Sequence, residues 1–204
     1  MMKLVIGLGN PTSKYRLSRH NLGFMCLDAW AEARRKSFIM DELYQYMILK
    51  DAIAIKPMTY MNLSGKALKH ALSRWSITDT MVVHDDLELE PTQLRIRNGG
   101  GDGGHNGLKS LFEVLAPSDI KRLRIGIGRS QTQAPDEYVL DDFTTDELNS
   151  YTHSMKLVIE FLNVYEKYDF KQMLNEYSKW KKSYSGGKAS GINSPKEELN
   201  DQGL

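Results

Sequence analysis

The sequence contains almost no cysteine and no long apolar run. Cys26 is the single cysteine, so no disulfide can form within the chain. No stretch approaches the roughly 18 apolar residues of a membrane-spanning helix, and the apolar segment after Lys3 is interrupted at once by Gly7, Gly9 and Asn10. We therefore expect a protein without a disulfide framework, membrane span or signal peptide, working in the cytoplasm.

An excess of charge of one sign is also missing. The chain has 27 lysines and arginines against 26 aspartates and glutamates, a net charge of +1. Proteins that coat nucleic acid bind through many Lys and Arg contacts to phosphate, and this balance argues against that class. It still allows a local basic patch.

The composition is that of an ordinary globular protein, with 41% apolar and 26% charged residues in 204. Beyond Tyr184 the sequence turns to Ser, Gly, Lys, Asn and Pro and has hardly an apolar residue, so ordering it would not be offset by burial. We expect one domain over residues 1–183 and a disordered tail over 184–204.

Strand and helix patterns alternate along the chain. Short apolar or alternating runs indicate strands, and apolar residues spaced three and four apart indicate helices. The strand patterns lie at 3–8, 43–49, 52–56, 80–84, 94–97 and 122–127, and the helix patterns at 22–33, 67–75, 108–115, 148–162 and 170–177. This order predicts an α/β fold, a single domain with a twisted, mixed and mostly parallel sheet flanked by helices.

Two of the strand patterns carry arginines. LRIR at 94–97 and RLRI at 122–125 alternate apolar and basic residues. Since successive side chains of a strand point to opposite faces, each strand is predicted to bury one face and expose its arginines on the other.

Polar, glycine-rich segments fall at the predicted ends of strands, where ligands gather in open α/β sheets. They are GLGNP (7–11), RHNLG (19–23), MTYMNLSGK (58–66), VHDDL (83–87) and GGGDGGHNG (99–107). The first resembles a dinucleotide-binding fingerprint, but Thr12 stands where its third glycine belongs. Tight turns after a strand explain these glycines equally well.

Several chemistries are open to the polar residues of these loops. Residue types that bind zinc occur at His20, His84, His105 and Asp85, but the chain lacks HExxH spacing and paired cysteines, which disfavours a zinc site. Ser64 lacks the G-x-S-x-G elbow of a serine nucleophile. A histidine acting as general base on water remains the favoured chemistry.

Such a base needs a partner for its second ring nitrogen. His20 is the favoured base, although its position just before a helix also allows a structural role, and His84 is as well explained by a hydrogen bond in the core. Asp85 is the favoured orienting carboxylate and Asp86 its competitor. Asn10, Asn62 and Asn106 offer uncharged donors and acceptors suited to holding a substrate.

Taken together, the motifs GLGNP, RHNLG, MTYMNLSGK, HDDLEL, GGGDGGHNGLKS and RLRIGIG resemble those of bacterial peptidyl-tRNA hydrolase in order and spacing, from about Lys3 to Tyr177. The resemblance implies hydrolysis of the ester between a peptide and tRNA, with the acceptor stem and the nascent peptide as partners. It implies a monomeric enzyme with no metal and no organic cofactor. A relative that binds RNA without hydrolysing it is the alternative.

The resemblance also assigns roles to residues. His20 would be the catalytic base and Asp85 its orienting acid. Asn10 would help to position the histidine and the substrate, and Asn62 and Asn106 would hold the peptide main chain or the water. The cleft would be lined by Tyr15, Tyr60, Met61 and His105, and a tRNA phosphate would be held by Arg97 and Arg124. Thr12 and Asp102 depart from the family pattern, where glycine and histidine are usual, and Asp102 adds a negative charge near the phosphate track.

Overall fold

The structure is a computed structural model that describes residues 2–189. It contains seven strands and seven α-helices within those residues. The strands are β1 (Met2–Gly7), β2 (Ile39–Met40), β3 (Tyr44–Ile48), β4 (Ala52–Pro57), β5 (Ile77–Asp86), β6 (Leu94–Asn98) and β7 (Ile120–Gly126). The helices are α1 (Leu22–Ala33), α2 (Ser64–Arg74), α3 (Asn106–Phe112), α4 (Pro135–Tyr138), α5 (Thr145–Ser150), α6 (Thr152–Lys167) and α7 (Phe170–Ala189).

The strands form one mixed sheet in the order β2-β3-β4-β1-β5-β7-β6. The four central strands β4, β1, β5 and β7 run parallel, whereas β2, β3 and β6 are antiparallel to their neighbours. The predicted mixed, mostly parallel sheet is confirmed. Because the central strands are parallel, their carboxyl ends meet at one edge, and the loops that follow them converge there.

Helices cover both faces of the sheet. In β1, Val5 contributes to a core with Trp30 of α1 and Leu162 of α6, while Leu4 contributes to a second core with Leu68 of α2. A strand buried on both faces reads as the continuous apolar run seen at 4–6. The predicted layers of helix, sheet and helix are thus confirmed.

The arginines of β7 do not form the exposed face that alternation predicts. Arg122 and Arg124 are only 3% and 9% exposed, whereas Arg95 and Arg97 of β6 are exposed as predicted. The difference arises because β6 is the edge strand, while β7 lies between β5 and β6 with the glycine-rich loop 99–104 against its side chains. The prediction was right for β6 and wrong for β7.

The last helix extends past the predicted end of the domain. α7 continues to Ala189, so the boundary that we placed after residue 183 falls inside a helix. Residues 190–204 lie outside the described residues, and for them the disordered tail stays a prediction. None of the helices within 2–189 is long and apolar enough to cross a membrane.

Thr12 adopts a backbone conformation that glycine favours. Its φ is 83° and its ψ 151°, at the turn that leads from GLGNP into a 3-10 turn over Ser13–Tyr15. Non-glycine residues in this region carry strain of about 1–3 kcal/mol. This conformation gives a physical reason why glycine is usual at the position in the resembling family.

Replacing Thr12 by glycine should therefore stabilise the protein. We expect Thr12→Gly to raise the free energy of unfolding by about 1 kcal/mol, which is the relieved strain less the added chain entropy of glycine. Urea denaturation measures this difference. The matched control Ser13→Gly, at the next position but with ordinary backbone angles, should be neutral or destabilising. Equal effects of the two changes would show that Thr12 is not strained.

Candidate active site

Three loops bring the predicted catalytic groups together. His20 lies in a 3-10 turn over Arg19–Asn21, just before α1, and its backbone N–H donates to the carbonyl of Val139 at 2.8 Å. Asp85 lies near the carboxyl end of β5, and His105 is the N-cap residue of α3. The sheet topology places these ends side by side, as expected for the switch region of an open α/β sheet.

The Asp85 carboxylate joins two imidazoles. His20 Nδ1 lies 3.0 Å from each carboxylate oxygen, and His105 Nε2 lies 3.2 Å from Oδ1. Asp85 is only 2% exposed. Burial opposes the charged form, but the two histidines outweigh it and hold the pKa of Asp85 well below its usual range. The prediction of Asp85 rather than Asp86 as the partner of His20 agrees with this geometry.

His105 is held as a single tautomer. Its Nδ1 accepts the backbone N–H groups of Gly107 at 3.1 Å and Leu108 at 3.4 Å, so its proton is on Nε2, which donates to Asp85. Burial lowers the pKa of His105 and favours this neutral form. His105 was predicted only to line the cleft, and its hydrogen bond to Asp85 was not predicted.

The side chains of His20, Asp85 and His105 lie close enough for one metal ion, with ligand atoms within 4.8 Å of one another. The tautomer of His105 argues against that role. A metal-binding ring nitrogen must be unprotonated, whereas Nε2 carries the proton as long as Nδ1 accepts two backbone N–H groups. The geometry therefore favours a hydrogen-bonded network over a metal centre.

His20 presents its other nitrogen to a cavity. With the proton on Nδ1 directed to Asp85, Nε2 is an acceptor, and no hydrogen bond to it occurs among the described residues. The cavity has a volume of about 450 Å³ and is lined by His20, Asp85, the glycine-rich loop and Val139. A water molecule or substrate atom can thus reach the ring nitrogen that is free to accept a proton.

His84 and Arg122 form a second buried pair beside the first. His84 Nδ1 donates to the backbone carbonyl of Asp85 at 2.6 Å, and its Nε2 accepts from Arg122 Nε at 3.2 Å. Arg122 Nη1 donates to the carbonyl of Gly101 at 2.7 Å. Burial, then the charges of His105 and Arg122, keep the pKa of His84 well below its usual value. His84 is therefore both a core residue and a wall of the cavity.

Charged residues of both signs line the rest of the cavity. They are Arg97, Arg122, Arg124, Arg129, Asp86, Glu88, Asp102 and Asp136. Arg124 Nε contacts Asp86 Oδ2 at 2.5 Å, and Arg129 pairs with Glu88. The predicted phosphate contacts Arg97 and Arg124 thus lie in the same cavity as His20 and Asp85.

The predicted asparagines occupy different surroundings. Asn106 is exposed and lines the cavity. Asn10 is buried, and its Oδ1 accepts the backbone N–H of Met61 at 2.8 Å. Its backbone exchanges hydrogen bonds with the Asn21 side chain at 2.7 and 3.0 Å. Sequence reasoning missed Asn21, although it directly follows His20 in the RHNLG motif.

Four other predicted substrate contacts, Tyr15, Tyr60, Met61 and Asn62, do not line the cavity. Tyr60 and Asn62 are exposed, Tyr15 is half-buried and Met61 is 5% exposed. Met61 packs against Gly107 in the first turn of α3, because its Sδ lies 2.5 Å from the position that a Cβ on Gly107 would take. A side chain at Gly107 would therefore displace Met61 beneath the His105 helix start.

His84 and His105 make the stability of the protein sensitive to acid. Their folded-state pKa values are lowered, so between the unfolded value of about 6.5 and the folded value the unfolded chain binds more protons. We expect stability to fall as the pH drops below about 6.5, by at most about 1.4 kcal/mol per pH unit for each histidine. Asp85 adds to the loss only below about pH 4.

Urea unfolding at pH 7.5 and 5.5 measures this loss. His84→Gln should show a smaller loss than the wild type, because it removes one of the two groups. His153→Gln is the matched control, since His153 is exposed, and it should retain the wild-type loss. If His84→Gln and His153→Gln lost the same stability between pH 7.5 and pH 5.5, His84 would not contribute to the acid sensitivity.

Comparisons with known proteins indicate one family for this chain. A sequence model of the family described as peptidyl-tRNA hydrolase matches residues 4–185. The peptidyl-tRNA hydrolase of Maridesulfovibrio salexigens is 39% identical over 176 residues, covering 79% of this chain and 86% of that protein. That of Geobacter sulfurreducens is 40% identical over 169 residues, covering 78% and 86%.

Solved structures give the same result. The crystal structure of peptidyl-tRNA hydrolase from Acinetobacter baumannii has a TM-score of 0.75 to this structure at 27% identity, covering 85% of this chain and 93% of that one. Fold, matched length and sequence identity all agree, and the chain belongs to the peptidyl-tRNA hydrolase family.

Proposed function

We propose that this protein hydrolyses the ester bond between peptide and tRNA, the reaction of its family, with His20 as the general base. The observation that carries the proposal is the pairing of His20 Nδ1 with the buried Asp85 carboxylate at 3.0 Å, which leaves Nε2 as an acceptor at the cavity. This is the arrangement that a histidine needs in order to take a proton from water.

In the proposed reaction, His20 Nε2 accepts a proton from water as the water oxygen attacks the ester carbonyl. The resulting imidazolium is stabilised by Asp85, which fixes the proton on Nδ1 throughout. When the tetrahedral intermediate collapses, His20 returns the proton to the ribose oxygen of the leaving tRNA. The products are a peptide carboxylate and a tRNA with a free terminal hydroxyl.

Residues around the cavity would hold the peptide end. Asn106 lines the cavity next to His105, and its amide can donate to a carbonyl or to a developing oxyanion. The exposed Tyr60 and Asn62 offer an adjoining surface for the peptide, together with Tyr15. Asn10 would act through the loop that it ties to Met61 and Asn21 rather than through free substrate contacts of its Oδ1.

The arginines of the cavity would hold a phosphate of the acceptor stem. Arg97 is exposed on β6, where its register partner on β7 is Arg122. Arg124 lies two positions further along β7 and is paired with Asp86. Bidentate guanidinium groups suit phosphate oxygens. The carboxylates of Asp86 and Asp102 reduce the net positive charge of this surface. A weaker attraction for phosphate suits an enzyme that must release tRNA after each turnover.

The proposal needs neither a metal ion nor an organic cofactor, nor a residue from a second chain. The tautomer of His105 supports a metal-free site, and every group in the proposed mechanism comes from one copy of the chain. We therefore propose a monomeric enzyme. As a translation-related family member, it would act in the cytoplasm.

Loss of His20 tests the chemistry. We expect His20→Asn to reduce turnover of a peptidyl-tRNA by about 10²–10⁴-fold, the usual contribution of a general base, while thermal unfolding shows an intact fold. The exposed His153→Asn is the control and should keep wild-type activity. Near wild-type turnover in folded His20→Asn would reject His20 as the base.

The same assay separates the competing functions. Wild-type activity that survives a chelator supports the metal-free mechanism, whereas loss that added zinc restores would support a metal hydrolase. Binding of peptidyl-tRNA without turnover would identify the RNA-binding alternative. The paired His20 and Asp85 disfavour that outcome, because binding alone requires no oriented base.

A second experiment tests the phosphate contacts. We expect Arg97→Gln to raise KM for peptidyl-tRNA and to lower the dependence of log KM on log salt by about one phosphate contact. A short peptidyl-nucleotide that lacks the stem should be hydrolysed as by the wild type. Equal losses on both substrates would mean that Arg97 acts on the chemistry instead.

A further inference from the structure

Arg122 is a buried cation that forms no direct ion pair with a carboxylate of the described residues, although Asp86 and Asp102 are near enough to attract its charge. It is 3% exposed, and among the residues whose side chains are described no carboxylate lies within ion-pair distance of its guanidinium. Burial, and then the nearby charges of Arg124 and Arg97, lower its pKa to about 10. Burying a charge costs free energy unless the charge is well hydrogen-bonded. We therefore expect the two hydrogen bonds of Arg122 to have a role that a smaller apolar residue could not fill.

Those two contacts join the glycine-rich loop to the strand that carries Asp85. On one side, Arg122 Nη1 donates to the carbonyl of Gly101 at 2.7 Å. On the other, Arg122 Nε donates to His84, whose opposite ring nitrogen donates to the backbone carbonyl of Asp85 at 2.6 Å. A continuous chain of side-chain hydrogen bonds therefore runs from the loop, through Arg122 and His84, to the backbone of Asp85.

The loop needs such a constraint. Four of its glycines, Gly99, Gly100, Gly103 and Gly104, have positive φ, and glycine gives the backbone much conformational freedom. A Cβ on Gly101 would meet nothing within 4 Å, so packing does not hold that residue. The loop nevertheless leads directly into His105, which must reach Asp85 at 3.2 Å.

We propose that Arg122 is a positioning residue that, together with His84, fixes the glycine-rich loop relative to Asp85, so that Asp85 binds His20 and His105 at the same time. The proposal rests on the proposed function of His20 and Asp85. The hydrogen bonds of Arg122 to Gly101 and His84 support the catalytic groups and do not involve the ester. Lysine cannot replace Arg122 in this role, because one ammonium on a flexible stem does not span two acceptors as the rigid guanidinium does.

Kinetics with two substrates test the proposal. We expect Arg122→Gln and Arg122→Lys to lower kcat by about tenfold or more on both peptidyl-tRNA and a short peptidyl-nucleotide, with little change in KM, since small displacements of catalytic groups have effects of this size. Arg95→Gln is the control, because Arg95 is exposed on the neighbouring strand, and it should leave hydrolysis of the short substrate unchanged. If Arg122→Gln fails to fold, Arg122→Lys still tests the proposal, because it keeps the positive charge.

The line width of an imidazole proton provides a readout that is local to the site and that a uniform loss of stability in a folded protein does not change. In protein with ¹⁵N-labelled histidine, the Nε2 proton of His105 should be slow to exchange in the wild type and in Arg95→Gln. It should broaden or exchange faster in the folded Arg122 variants. His105→Asn identifies the signal.

The outcomes are distinct. A raised KM for peptidyl-tRNA alone, with an unchanged His105 signal, would make Arg122 a phosphate contact and overturn the proposal, as would full activity in Arg122→Lys. If the wild type showed no turnover, the proposed function would fail. The His105 signal in the Arg122 variants would still decide whether Arg122 holds the loop.

Discussion

The buried carboxylate of Asp85 is the interaction on which the site depends. A charge that is 2% exposed is stable only if it is hydrogen-bonded on several sides, and here two imidazoles and their orientation satisfy it. The same demand fixes both histidines, because each must present an N–H to Asp85. The electrostatic cost of one buried aspartate thus determines which nitrogen of His20 remains available to the cavity.

Three elements of the fold bring this carboxylate and its two donors together. The parallel strands place Asp85 at the carboxyl edge of the sheet, α1 is preceded by His20, and α3 begins at His105. Backbone groups complete the arrangement, since Val139 anchors the His20 turn and Gly107 selects the His105 tautomer. The active site is therefore supported mainly by secondary-structure ends, which are rigid even though the loops between them are rich in glycine.

Much of this architecture was predictable from sequence, because its signals are local. The strand and helix periods predicted the layers, and Asp85, which the sequence analysis favoured over Asp86 as the partner of His20, lies beside that histidine in the structure. Arg122 was mispredicted because alternation tells which face a residue takes but not what covers that face. The role of His105 was hidden for a similar reason: its bond to Asp85 depends on the path of a loop with four positive-φ glycines. Asn21 was overlooked since its partner, Asn10, lies eleven positions away in another motif.

The distance along the chain between His20 and Asp85 has a consequence for biosynthesis. The two residues are 65 positions apart, and β5, which carries Asp85, lies in the sheet between β1 and β7. At translation rates of roughly 5–20 residues per second, Asp85 is synthesised several seconds after His20, and β7 is synthesised later still. The nascent protein thus has no assembled site until more than half of it has been made, and activity appears only with the nearly complete sheet.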